Sequence, residues 1–280
     1  MRPMTAPLRR VLVRRPGGLD RWREHGWRAE PDAARVEAEH EALREALAEA
    51  GAEVVLVERL DGNPDAVYVY DPALLAERGA VLLRPGKDAR RGEPDALGRE
   101  LEAAGIPIIG RLQPPACVEG GDTVWLDEHK LAVGLGYRTN EAGAAALAEA
   151  LPDVEVLAFD LPHFRGPAEV LHLMSMLSPL DADLALVHLP LMPTRLVQLL
   201  RERGVELLEI AEDEYDTLAC NVLALGPRRV LALDGNPETR RRLEAGGVDV
   251  RVYEGRELGL KGDGGPTCLT RPLHRGLLSL

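Results

Sequence analysis

The chain repeats one pattern of apolar and polar positions at a period of about forty residues: two short apolar runs around a tight turn, a helix-spaced stretch rich in Ala, Leu and Glu, then another apolar run. One copy has strands over Thr123 to Leu126 and Lys130 to Gly134, a helix over Asn140 to Leu151 and a closing strand over Val154 to Phe159. A second has Val222 to Leu225, Val230 to Leu233, a helix over Pro237 to Ala245 and a strand over Val248 to Tyr253. In a third, Pro72 to Ala76 and Ala80 to Leu83 precede a helix over Asp95 to Ala104 and the strand Ile106 to Ile109. The fourth runs from Ser175 to Leu189, then a helix over Met192 to Gly204, then Val205 to Ile210.

The fifth copy is split between the two ends. Thr267 to Arg271 and Leu8 to Arg14 supply its first two strands, followed by a helix over Asp32 to Ala50 and the strand Glu53 to Glu58. In that helix Val36, Leu43, Leu47 and Ala50 recur on one face. WD40 blades and helical repeats share the period, but neither places one helix between a hairpin and a third strand. The pattern therefore predicts an α/β fold, a five-bladed ring of ββαβ units closed tail to head. With no Pro- or Ser-rich linker to divide it, residues 1–280 read as a single domain around a central cleft.

Composition narrows the partners. Among 280 residues, 34 Lys and Arg stand against 46 Asp and Glu, a net charge of -12, so nucleic acid and anionic membrane are poor partners. Met1 to Ala6 lacks the apolar core of a signal peptide and no run of apolar residues is long enough to span a bilayer, so a cytoplasmic protein is expected. Cys117, Cys220 and Cys268 form neither a disulfide framework nor a metal-binding spacing, and no two histidines stand at HxH or HxxxH spacing.

The candidate chemistry begins at Cys268, which closes the run Gly262-Asp263-Gly264-Gly265-Pro266-Thr267-Cys268. Small turn-forming residues let a sulfur face a cleft rather than a core. If Cys268, His172, Glu119 and Asp71 meet, the thiolate can attack an electrophilic carbon while the imidazole protonates a leaving amine and then activates water. Two carboxylates suit a planar guanidinium, whose charge would lower the thiol pKa, leaving the free protein with a protonated thiol. Plainer readings stand beside these. Cysteines are commonly small buried hydrophobes, His172 between Leu171 and Leu173 could be a core histidine, and Glu119-Gly120-Gly121-Asp122 and Asp71-Pro72 could be turns.

Arg84-Pro85-Gly86, Arg90-Arg91-Gly92-Glu93, Glu119-Gly120-Gly121-Asp122, Val133-Gly134 with Arg138-Thr139-Asn140, Leu171-His172-Leu173, and Asp263-Gly264-Gly265 with Cys268 occur in an order that spans nearly the whole chain. In these motifs the chain resembles the guanidino-group-modifying enzymes, the pentein superfamily, and within it the dimethylarginine dimethylaminohydrolases. The resemblance implies Cys268 as nucleophile, His172 as general acid and base, and Glu119 and Asp71 as holders of the guanidinium. It further implies Asp65 and Tyr68 as substrate contacts, Arg90 and Arg138 as clamps on an α-carboxylate, and Asn221 as a neighbour of the site without an assigned role. The implied reaction is hydrolysis of N-methylated arginine to citrulline and a methylamine through a covalent thiouronium, with no metal or cofactor and a small-molecule substrate as partner.

Two positions depart from the family pattern: Tyr70 stands where an acid precedes the substrate-binding Asp, and Met174 where a Lys follows His172-Leu173. The guanidino end is therefore expected to be shaped differently, and arginine, methylarginine and citrulline all remain open as substrates, since one methyl is worth only about 1–3 kcal/mol of discrimination. The helical insertion of the longer arginine deiminases is missing, which favours the dimethylargininase branch. An amidinotransferase with the same Cys and His, or a non-catalytic binding ring, are the competing readings. A papain-like hydrolase would carry its cysteine near the start of the chain. Self-association into a homodimer stays open.

Overall fold

The computed structural model describes residues 4–276. In chain order the elements are β1 (Leu8–Arg14), α1 (Ala33–Glu49), β2 (Glu53–Val57), β3 (Ala73–Ala76), β4 (Gly79–Leu82), α2 (Glu93–Ala103) and β5 (Ile108–Arg111). They continue with β6 (Thr123–Trp125), β7 (Lys130–Leu135), α3 (Glu141–Ala150), β8 (Glu155–Asp160), β9 (Leu177–Pro179), β10 (Leu184–Val187), α4 (Thr194–Glu202) and β11 (Glu206–Glu209). The last are β12 (Leu223–Gly226), β13 (Arg229–Leu233), α5 (Pro237–Ala245), β14 (Asp249–Tyr253) and β15 (Arg271–Arg275). Five three-stranded sheets result, each with an antiparallel pair and a parallel pair joined through a helix, and the fifth combines β15 with β1 and β2. This is the five-bladed α/β ring of the pentein fold.

Packing explains why the middle strand of each unit reads as an unbroken apolar run. In β1, Val11 and Val13 face the core shared with β12, β13 and α1, whereas Leu12 faces the core shared with β3, β4 and α2. In β7, Leu131 and Val133 pack toward β4 and α3, and Ala132 toward β10 and α4. In β13, Val230 and Ala232 pack with β10 and α5, and Leu231 and Leu233 with β1. Strands apolar on both faces belong to sheets covered on both sides. Each of five cores thus lies between two neighbouring units, and the core joining the last unit to the first closes the ring. Truncating a fully buried contact such as Leu131 to Ala should cost about 2–5 kcal/mol.

One strand lies elsewhere than the apolar pattern predicts. Residues 267–270 form a turn, with the Leu269 N–H donating to Gly265 O at 3.1 Å and the Thr267 hydroxyl to Val222 O at 2.9 Å, and the strand begins only at Arg271. Pro272 is tolerated there because β15 is the edge of its sheet. Among the described residues no helix is long and apolar enough to cross a membrane.

Candidate active site

Each unit delivers one polar side chain from the segment just before its first strand. Asp71 precedes β3, Glu119 precedes β6, His172 precedes β9, Asn221 precedes β12 and Cys268 precedes β15. The five chain-distant turns converge because the ring brings the N-terminal ends of these edge strands to one mouth. His172, Asn221 and Cys268 line a single small cavity of about 50 Å³, with Tyr70, Gly121, Phe164 and Met174 in its walls. One ligating atom from each of Asp71, Glu119 and His172 lies within 4.8 Å of the others.

Local structure holds each group. His172 caps a short helical turn over residues 173–175, its backbone N–H donating to Ser175 Oγ at 3.0 Å. Its Nε2 meets Glu119 Oε2 at 2.8 Å. Gly121 is needed beside it, since a Cβ there would come within 2.3 Å of His172 Nδ1. The Cys268 turn is braced from two sides. The Asn221 amide donates to Cys268 Sγ at 3.1 Å while its Oδ1 accepts from the Thr267 N–H at 3.2 Å. The Tyr70 N–H donates to Cys268 O at 3.1 Å, the Tyr68 hydroxyl donates to Leu258 O at 2.8 Å, and Tyr68 packs against Trp27.

The remaining residues of the motif set lie in ion-pair networks around this cluster. Arg90 is buried, with Nη1 donating to Asp71 Oδ2 at 2.6 Å, Nη2 to Tyr68 O at 3.0 Å, and Nε and Nη2 to Glu93. Arg138 donates through Nη1 to both oxygens of Glu119 at 3.1 Å. Neither arginine lines the Cys268 cavity. Asp65 is bound by Lys87 Nζ at 2.6 Å, Trp27 Nε1 at 2.9 Å and His25 Nδ1 at 3.0 Å, which ties the segment around residues 25–27 to the ring. Two carboxylates and an imidazole at this spacing are also a possible metal set, yet each carboxylate already carries a planar guanidinium, the cation its fork geometry fits best.

The electrostatics follow from burial and these pairs. Burial works against a charged His172, but Asp122, Asp71 and Glu119 outweigh it and push the imidazole up to about 9. Burial also works against an ionised Glu119, and His172 and Arg138 nevertheless hold it well below the usual carboxylate range. Burial, followed by the Asp71 charge, pushes the Cys268 thiol up to about 12 against the Asn221 hydrogen bond and Arg90. Cys220 is raised by burial alone and lies in a core, its ordinary place for a thiol.

Sequence reasoning placed Asn221 near the site without a role and gave none to Asp122. Asn221 occupies in the turn before β12 the position that Asp71, Glu119, His172 and Cys268 occupy in theirs, so a unit-by-unit alignment of the repeat would have given it a role. Asp122 accepts from the Thr139 hydroxyl at 2.6 Å and from the Leu173 N–H at 3.0 Å, joining the Glu119 and His172 turns. Its burial, opposed chiefly by the His172 charge, raises it to about 6.

A pentein ring with a thiol, an imidazole and paired carboxylates at one mouth defines a cysteine-dependent hydrolase of guanidino groups. The profile of the family described as N,N dimethylarginine dimethylhydrolase, eukaryotic, matches residues 23–275, and the chain belongs to that family. It is 28% identical to the N(G),N(G)-dimethylarginine dimethylaminohydrolase of Pseudomonas aeruginosa, over 86% of this chain and 89% of that one. It is 31% identical to an arginine deiminase of Mycobacterium marinum, over 83% of this chain and 68% of that one. Among solved structures, the Pseudomonas aeruginosa enzyme complexed with citrulline superposes with a TM-score of 0.80 at 25% identity, covering 94% of this chain and 98% of that one.

Proposed function

We propose that the chain hydrolyses N-methylated arginine, with asymmetric dimethylarginine giving citrulline and dimethylamine, as one catalytic domain working in the cytoplasm without cofactor or metal. The observation that carries this reading is the convergence of Cys268, His172, Glu119 and Asp71 from four separate units on one mouth. In this reading the substrate guanidinium takes the place of Arg138 on Glu119 and is flanked by Asp71. Arg138, released, is the group that receives the α-carboxylate, while Arg90 holds Asp71 in position. Asp65 and Tyr68 act through the loop and turn that they brace.

The chemistry follows from the charge states. The incoming cation lowers the thiol pKa, the Sγ proton leaves to solvent, and the thiolate forms a C–S bond to the guanidino carbon. His172, protonated at neutral pH, gives its proton to the departing amine as the C–N bond breaks, leaving the thiouronium. The neutral imidazole then takes a proton from water, the hydroxide adds to the same carbon, and the adduct expels the Cys268 thiolate and gives up its hydroxyl proton to that thiolate, leaving a ureido group and the thiol. Tyr70, Met174 and Phe164 offer apolar walls to N-methyl groups. The similarity to an arginine deiminase supports a second reading, hydrolysis of arginine itself to citrulline and ammonia.

A citrulline assay with arginine and with asymmetric dimethylarginine, reading ammonia and dimethylamine separately, tests both. Dimethylamine with citrulline is the expected result, and ammonia from arginine would move the protein to the deiminases. No citrulline from either, or citrulline undiminished in Cys268→Ala, would overturn the reading.

A further inference from the structure

The edge strands that carry the catalytic turns at their N-terminal ends run on into a second cavity of about 700 Å³. Its walls come from β3, β12 and β15 along their length, from the end of β6 at Trp125 and from the end of β9 at Pro179. Tyr70, Met174 and Thr267 line both cavities, so this space lies on the far side of the catalytic floor. It is large enough for a small organic molecule and more than ten times the volume of the catalytic cavity.

Arg271 is the unusual group in its wall. It is 4% exposed, its Nη1 donates to Ala73 O at 2.6 Å, and its guanidinium carbon lies 3.8 Å from the centre of the Tyr70 ring. Its Nε is buried without a hydrogen-bond partner, and among the described residues no carboxylate forms an ion pair with it. Burial lowers its proton affinity although Tyr70 and the Asp71 charge favour the cation, so the cost of burying this charge is only partly offset. Arg275 follows on the same face of β15, and its proton affinity is lowered to about 10 by burial, with Arg271 contributing. The two carboxylates in the lining, Glu77 and Glu128, disfavour a dianion, while Leu74, Trp125 and Leu273 present apolar surface.

We propose that this cavity binds a small organic monocarboxylate, its planar head on the Arg271 guanidinium and its apolar body against Trp125 and Leu74. A carboxylate matches the guanidinium fork and leaves the apolar walls covered.

The test is a fluorine NMR titration of the full chain with 4-fluorobenzoate, beside 4-fluorobenzyl alcohol and 4-fluorobenzylamine. The carboxylate should bind saturably, at least tenfold more tightly than the alcohol or the amine. Arg271→Gln should weaken it at least tenfold, and Ala76→Trp, which fills the cavity from a half-buried wall position and leaves Arg271 intact, should do the same should the first variant not fold. Alkylation of Cys268 should leave the affinity within twofold, because the occupied cavity is not the catalytic one. Equal affinity for the alcohol, loss of binding on Cys268 alkylation, or no saturable binding of the carboxylate would overturn the proposal.

Discussion

A Cys268 thiol pushed up to about 12 means that the free protein holds its nucleophile masked, and that a cation must unmask it. At about pH 8 such a thiol is ionised to roughly one part in 10⁴, against about a quarter for an ordinary cysteine of pKa about 8.5. The more basic sulfur is the better nucleophile, and a Brønsted slope of about 0.4–0.5 returns some thirtyfold of that loss, roughly. A neutral haloacetamide should therefore alkylate Cys268 roughly 10²-fold more slowly than it alkylates N-acetylcysteine. An amidinium reagent brings its own charge: a unit charge about 4 Å away at an effective dielectric of about 20 is worth about 4 kcal/mol, near three pKa units. The thiol then falls to about 9, and after the same nucleophilicity correction the rate rises several tens-fold, roughly. The assay compares 2-chloroacetamide with 2-chloroacetamidine, each normalised to N-acetylcysteine, with peptide mass spectrometry separating Cys268 from Cys117 and Cys220. The neutral reagent should show a log rate that climbs with unit slope past pH 9, and the amidinium reagent a bend near there. A neutral-reagent rate that levels off between pH 7 and 8 would refute the argument that burial and Asp71 set this thiol.

Asn221→Ala removes the hydrogen bond to Cys268 Sγ and should slow turnover about 10–100-fold, the worth of a hydrogen bond to a charged group, with the loss appearing in kcat. Asn221→Asp keeps the acceptor for the Thr267 N–H but sets a negative charge against the thiolate, so its alkylation by the neutral reagent should be slower still. Gly121→Ala forces the His172 ring away from Glu119 and should lower kcat about 10²-fold and also lower the melting temperature at neutral pH, where the charged pair stabilises the fold. Because folding raises His172 from about 6.5 to about 9, its contribution to stability is fully present below pH 6.5 and lost as pH rises through 9, a change on the order of 3 kcal/mol. Denaturant titrations at pH 6 and pH 9.5 check this, and a difference that persists unchanged in His172→Gln would assign it to other groups.

The ring was legible in the sequence because each unit is written locally. An apolar run such as Leu131-Ala132-Val133 already carries both faces of a middle strand, and the Ala- and Leu-rich stretch after it already carries a helix, so five repeats of the pattern imply five stacked cores. The resemblance carried by the motifs singled out Cys268, His172, Glu119 and Asp71, and the ring placed them at one mouth. The strand onset at Arg271 escaped the pattern, since the Thr267 side chain is drawn to a carbonyl of another unit and holds residues 267–270 in a turn.

What tertiary structure alone decided are quantities that depend on groups distant along the chain meeting out of water. The hydrogen bond from Asn221 to Cys268 Sγ and the rest of the Arg138 guanidinium on Glu119 each join groups far apart in sequence. The raised thiol of Cys268 and the raised imidazole of His172 come from burial and from charges in other units. The second cavity, with Arg271 stacked on Tyr70, exists only because five edge strands close around one axis. Apolar periodicity within a unit is a local property that sequence determines, whereas electrostatic environment is set by the sum over all units, and it acquires a value only when the ring is closed.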